Sequence, residues 1–313
     1  MSANPDVTIL GTIVFDIFIP DVKKYPQKGE AVEIKSFPVF TGGCGSNTAI
    51  VLSKLGVKVS LIGTVGEDLF GKYIINYLNE CKVNLEMVKI SKSENTSTSI
   101  LLINQKKERS YFHSVGANKD IRVGKNEFNV IKKSKIFHIG GVNLLPSIDG
   151  KPMAEILKKI KTNKIITSID LAWDTKNLWM KNLKYSLPFI DILMGNKNEI
   201  LNLTGEKNLK KSIKKLHQSG VEIIAVKLAE KGSLISKDFF IEEIPPFKVN
   251  SLDTTGAGDA FAGGFLYGIL SGKNLYESAL IGNYFGAVVT QDFGSTSALQ
   301  KINQFNLNKI LSP

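Results

Sequence analysis

Short, continuous apolar runs separated by helical stretches and glycine turns recur along the whole chain, and no other feature restricts its fold as much. A strand covered on both faces loses the in-out alternation of a half-exposed strand and reads as an unbroken apolar run. Val7–Val14, Val57–Val65, Ile136–Ile139, Lys164–Asp170, Ile190–Met194 and Val221–Leu228 fit that description. Between them, Asn47–Leu55, closed by Gly56, and Asp68–Cys81 read as helices. The progression predicts an α/β chain whose mainly parallel sheet is covered by helices on both faces, with a ligand site at the C-terminal ends of the strands. Ala31–Phe40, Ser97–Asn104 and Glu108–Ser114 alternate or carry turn signals and predict a small separate sheet.

One loop carries chemistry. Asp253-Thr254-Thr255-Gly256-Ala257-Gly258-Asp259 precedes the run Ala260 to Leu270, which is too apolar for a surface segment. A buried helix is therefore expected to start near Ala257 or Gly258. Gly256 and Gly258 let backbone N–H groups approach an anion without a Cβ in the way. The helix start adds free N–H groups and the positive end of its dipole. Asp259, in the first turn, suits a base that takes a proton from a hydroxyl attacking a phosphoryl group. A plain capped core helix is the competing explanation of the same residues.

Composition narrows the alternatives. A chain of 313 residues buries a large core, as one domain or as one domain with a small appendage. No stretch reaches the length of a membrane span, and Met1 to Asp6 lacks a basic segment leading into an apolar one, so a cytoplasmic protein is expected. Cys44 and Cys81 have neither disulfide nor zinc-site spacing. The formal charge of +11 raises nucleic acid, but Arg109 and Arg122 are the only arginines, and bidentate phosphate and base contacts favour arginine. Lys210, Lys211, Lys214 and Lys215 lie opposite Leu209, Ile213 and Leu216, as on a solvated amphipathic helix. Neither nucleic acid nor a membrane is expected as a partner.

A second glycine signature, Gly42-Gly43-Cys44-Gly45-Ser46-Asn47-Thr48-Ala49, is followed by Gly63-Thr64-Val65-Gly66-Glu67-Asp68-Leu69-Phe70-Gly71. Gly116-Ala117-Asn118, Asn196-Lys197-Asn198-Glu199 and the stretch from Lys227 to Gly232-Ser233 come later, before Asp253 to Asp259. In this order the motifs resemble those of the PfkB, or ribokinase-like, family of sugar and nucleoside kinases, from about Val7 to about Ala298. The resemblance implies a three-layer α/β/α kinase domain spanning 1–313. It also implies a small β lid built from inserted segments at about 12–40 and 97–115, which closes over the sugar and in many relatives pairs two copies into a dimer.

The same resemblance implies roles for residues. Asp259 would be the catalytic base, with N–H groups of Gly256, Ala257 and Gly258 receiving the charge of the transferred phosphoryl group. Asp16, Gly42, Gly43, Asn47, Asn143 and Asp170 would hold the sugar. Asn47 could instead merely cap its helix. Asn196, Lys227, Gly232, Thr254, Gly256, Gly258 and Asn283 would hold ATP. Glu199 would organise Mg2+ through water, although an acid in the first turn of a helix is favoured anyway. Asp253 would sit beside a site for a monovalent cation such as K+. Cys44, Ser46 and Ala229 depart from residues common in the family. Trp173 and Asp174 offer an aromatic face and a carboxylate near the site, with core packing as the alternative for Trp173. A nucleoside kinase, with Phe112 and His113 flanking a base, and a non-catalytic sugar sensor are the two other functional readings.

Overall fold

The computed structural model describes residues 4–105, 109–301 and 307–311. In chain order, β1 (Val7–Gly11) leads into β2 (Val14–Val22) and β3 (Val39–Gly42), and α1 (Cys44–Lys54) into β4 (Val59–Gly66). After α2 (Leu69–Glu80) come β5 (Val88–Ser91), β6 (Thr98–Asn104), β7 (Arg109–Ser114) and α3 (Lys125–Ile131). The alternation resumes with β8 (Ile136–Val142), α4 (Lys151–Lys161), β9 (Ile166–Leu171), α5 (Trp179–Leu183), β10 (Ile192–Asn196), α6 (Lys197–Thr204), α7 (Leu209–Gln218) and β11 (Ile223–Lys227). The hairpin β12 (Ser233–Lys237) and β13 (Phe240–Ile244) precedes the helices α8 (Ala257–Leu270) and α9 (Leu275–Val289).

Among the described residues, nine strands form one sheet in the order β13-β12-β11-β10-β9-β8-β1-β4-β5. All neighbours from β11 to β5 pair in parallel, while β12 runs antiparallel to both β11 and β13. Each central strand feeds two cores, because successive side chains point to opposite faces. Ile9, Leu61, Ile192 and Ile223 pack with α1, α2, α8 and α9. Their neighbours Leu10, Ile62, Leu193 and Ile224 pack with α3 to α7 on the other face. On α7, Ile213 and Leu216 are buried while Lys210, Lys211, Lys214 and Lys215 are exposed, as the amphipathic pattern predicts.

The second sheet, in the order β3-β2-β6-β7, stands apart over its own small cluster of Phe18, Leu101 and Ile103 with Phe40 against them. Here two expectations need correction. The run Val7–Val14 is not one strand: β1 ends at Gly11 and β2 begins at Val14 in the other sheet. The change of sheet happens at Ile13, whose N–H and carbonyl pair with the Asn118 side chain instead of a strand. Nor is Ala31–Phe40 a strand throughout. Only Val39–Gly42 joins the sheet, since residues 23–37 run along the surface, almost all exposed, with no second layer to bury their alternate side chains. Ser97–Asn104 and Glu108–Ser114 do pair, as β6 and β7, with Glu108 outside the described residues.

Candidate active site

The parallel strands end along one edge, where Gly11 is level with Gly140, Gly140 with Asp170, and Asn196 with Lys227. Against that edge stand the N-termini of α1 and α8. Helix α8 begins at Ala257, where the sequence places it, with Gly256 at φ 77° as its N-cap. Only glycine fits there: φ is left-handed, and an added Cβ would collide with Ser295. Asp253 fastens the turn. Its Oδ1 accepts from the Thr255 N–H (3.0 Å) and hydroxyl (2.7 Å), and its Oδ2 from the Gly294 N–H (3.2 Å). The exposed Thr254 accepts from the Ala257 N–H through its carbonyl, at 3.3 Å. No side chain caps the helix, and the N–H groups of Gly256 and Gly258 have no acceptor among the described residues.

Asp259 faces α1. Asn47 Nδ2 donates to Asp259 Oδ2 at 2.8 Å, and the Thr48 hydroxyl to the Asp259 carbonyl at 3.2 Å. Burial lifts the Asp259 carboxyl above the usual range, while Asn47, the charge of Lys227 and the Cys44 thiol pull it back. Asn47 does not cap its helix, which starts three residues earlier, at Cys44. The cap is Thr12, whose hydroxyl accepts from the Cys44 N–H and whose carbonyl accepts from Gly45 and Ser46. The Asn47 side chain is thereby free for the site, and its buried Oδ1 has no partner among the described residues.

Asp16 on β2 lies beside Gly42 on β3, so closely that a Cβ on Gly42 would overlap the Asp16 carboxylate. Burial pushes the Asp16 carboxyl up to about 7 against a hydrogen bond from Ser99 on β6, whose hydroxyl also meets His113 Nδ1 at 3.0 Å. Gly43, at φ 97°, lets the chain pass 2.5 Å from the Thr12 carbonyl, measured from its would-be Cβ. Asn143, at φ 85°, donates to the Ala172 carbonyl at 3.2 Å, and its buried Oδ1 is unpartnered.

Lys227 Nζ donates to both Asp170 oxygens, at 2.6 and 2.9 Å. Burial pulls the Lys227 ammonium down, but Asp170, Glu199 and Asp259 together hold its pKa above the ordinary value. Burial outweighs Lys227 at Asp170, whose carboxyl rises to about 7. Asn196 and Glu199 cap α6 reciprocally, Glu199 Oε2 accepting from Asn196 N–H (2.7 Å) and Asn196 Oδ1 from Glu199 N–H (2.9 Å). The helix-start explanation of Glu199 therefore holds, and the residue still reaches the electrostatics of Lys227 and Asp259.

The remaining candidates lie farther along. Gly232, at φ 85°, turns into β12 where a Cβ would strike the Ile244 carbonyl. Ala229 beside it adopts φ 55°, a conformation suited to the glycine it replaces. Asn283 is buried and donates to the Ile244 and Pro245 carbonyls, holding the exit of β13. Asp174 accepts from the N–H groups of Lys176, Leu178 and Trp179 and serves its own loop, while Trp173 is half exposed rather than core. Sequence reasoning missed Thr48 and the thiol of Cys44 as neighbours of Asp259, and Thr12 as the cap of α1. Thr48 and Cys44 lie within one helical turn of Asn47, so a helix starting at Cys44 would have revealed them.

This geometry can hold an anion at the α8 N-terminus and a hydroxyl between Asp16, Asn47 and Asp259. The family model for pfkB family carbohydrate kinases matches residues 4–302. A putative sugar kinase of Pyrococcus horikoshii is 31% identical over 284 residues, covering 88% of each chain. Fructokinase-2 of Oryza sativa is 26% identical over 317 residues, covering 96% of this chain and 93% of its own. The fold matches that of Arabidopsis thaliana ribokinase, solved with ribose and ATP, at a TM-score of 0.86 and 24% identity over 99% of both chains. The chain belongs to the pfkB family of carbohydrate kinases and is an ATP-dependent phosphotransferase that acts on a hydroxyl group.

Proposed function

We propose that Asp259 deprotonates a hydroxyl of a sugar, that this oxygen attacks the γ-phosphorus of ATP, and that the open N-terminus of α8 receives the developing charge. The observation that carries this reading is the hydrogen bond between Asn47 and Asp259 beside N–H groups that no side chain among the described residues caps. Asn47 aims the carboxylate with its amide and keeps Oδ1 for a substrate hydroxyl. Asp16 supplies a second acceptor from the small sheet, which acts as a lid and sheds water from the site when it closes.

Asn196 and Glu199 would hold Mg2+, which would supply charge neutralisation at the phosphates. Among the described residues no group of three His, Cys, Asp or Glu gathers for a metal. The donor set instead offers one carboxylate, Glu199, next to Asn196, which suits an ion that keeps most of its waters. Asp253 supports a K+ site least, since both of its oxygens already accept from the loop.

The exposed aromatics Tyr111 and Phe112 on β7, an edge strand, support pairing of two lids into a homodimer. The free thiols of Cys44 and Cys81 fit a cytoplasmic protein, and among the described residues no helix is long and apolar enough to cross a membrane.

The test is ADP release from Mg·ATP against a panel of ribose, fructose, fructose phosphates, 2-keto-3-deoxygluconate, inosine and adenosine, with Asp259→Asn as control. Turnover of a sugar that the variant loses supports the reading. Turnover unchanged in the variant overturns it.

A further inference from the structure

We propose that Lys227 is a catalytic residue of the transfer step and that Asp170 is a counter-ion, storing its ammonium at the mouth of α8 until a phosphoryl group takes it. This rests on the phosphotransfer reading above. The Lys227 side chain is 15% exposed and that of Asp170 3%, and the two form a bidentate pair. A Cβ built on Gly258 would lie 3.0 Å from Lys227 Nζ. The ammonium thus stands directly at the positive end of α8, beside the uncapped N–H groups.

A cation at a helix N-terminus is opposed by the dipole, and burial opposes it again. Asp170, Glu199 and Asp259 overcome both. A buried ion pair gives little net stability over a well-packed apolar pair, so a purely structural role does not account for a lysine in this place. An anion held by Gly256 and Gly258 would lie next to the ammonium and compete with Asp170 for it. Asp170, with both oxygens on Lys227, is then not presented to a sugar hydroxyl, which sets it apart from Asp16 and Asn47.

In the step itself, the sugar oxygen forms a bond to the γ-phosphorus and its proton passes to Asp259. The bond from the γ-phosphorus to the β,γ-bridging oxygen breaks, and its electron pair leaves with ADP. Lys227 keeps all its protons and only follows the charge that gathers on the transferred group.

The test is calorimetric titration of the full chain with Mg·ADP alone and with Mg·ADP plus aluminium fluoride, a mimic of the group in flight. Wild type, Lys227→Met and the double variant Lys227→Met/Asp170→Asn are compared, the last removing the orphaned carboxylate. Both variants are expected to bind Mg·ADP within about threefold of wild type and the fluoride complex at least about 100-fold more weakly, with a similar fall in kcat. Equal loss for both ligands would make Lys227 an anchor of the nucleotide ground state and overturn the proposal. Wild-type affinity for the fluoride complex in the double variant would make the pair structural and overturn it too. The phosphotransfer reading fails separately, if Asp259→Asn retains turnover.

Discussion

Two helices of this protein begin at glycine-rich turns against the same sheet edge, and only one of them is open. At α1, Thr12 spends its hydroxyl on the Cys44 N–H (2.9 Å) and its carbonyl on those of Gly45 and Ser46 (3.1 and 3.3 Å). At α8 no side chain among the described residues plays that part. The glycines differ in purpose as well. Gly45 lets α1 press onto β1, since its Cβ would fall 2.7 Å from Gly11. Gly258 leaves room for the ammonium of Lys227. Glycine richness at a helix start therefore does not mark an anion site by itself; the satisfaction of the N–H groups decides.

The largest effect expected from this contrast is at the open end. Asp259→Asn should lower kcat by about 10³-fold or more, with nucleotide affinity by calorimetry nearly unchanged. Turnover near wild type would remove the reason for assigning chemistry to α8.

Gly256→Ala comes next. It forces an alanine to the left-handed φ of 77° and its Cβ onto Ser295, so the loop must shift. The expected loss in kcat is about 10²-fold, the scale of one misplaced oxyanion donor. A kcat within threefold would show that the charge is received elsewhere.

On the proposed reading, Asp16 couples the small sheet to the site through pH. Its carboxyl, lifted by burial to about 7, becomes neutral as pH falls through that value and can no longer accept two hydroxyls. kcat/KM for the sugar should then drop about tenfold per pH unit below about 7, and the Asp16→Asn variant should lack that limb. Stability runs the other way. A carboxyl at about 7 in the folded chain, against the 3.8 of a free aspartate, penalises folding above pH 7, and the penalty fades as pH falls towards 3.8. Asp16→Asn should therefore raise Tm at pH 8 and not near pH 4.

The smallest effect belongs to the closed end. Thr12→Val removes one acceptor from α1 and should cost about 1 kcal/mol by denaturant unfolding, with kcat unchanged within twofold. A large loss of kcat would mean that the α1 terminus also serves the reaction.

Much of this was legible in the chain. The parallel sheet could be read because doubly covered strands are uniformly apolar, and the α8 turn because glycines, an acid and an apolar helix lie within a few consecutive residues. The break between β1 and β2 was not legible. Gly11 is a weak stop inside an otherwise strand-like run that Thr12 and Ile13 carry on to Val14, and the change of sheet depends on Asn118, distant in sequence. The start of α1 was misread by three residues for a similar reason, since its cap is supplied by Thr12 rather than by a local side chain.

The sequence by itself determined the α/β progression, the two glycine-rich helix starts and the identity of Asp259, because each depends on residues close along the chain. Only the tertiary structure decided which helix start is open, that Asn47 aims Asp259 rather than capping α1, and that Asp170 holds Lys227 in front of α8. Those choices depend on partners brought together from separate strands, where hydrogen bonding and burial act across distances that no local pattern records.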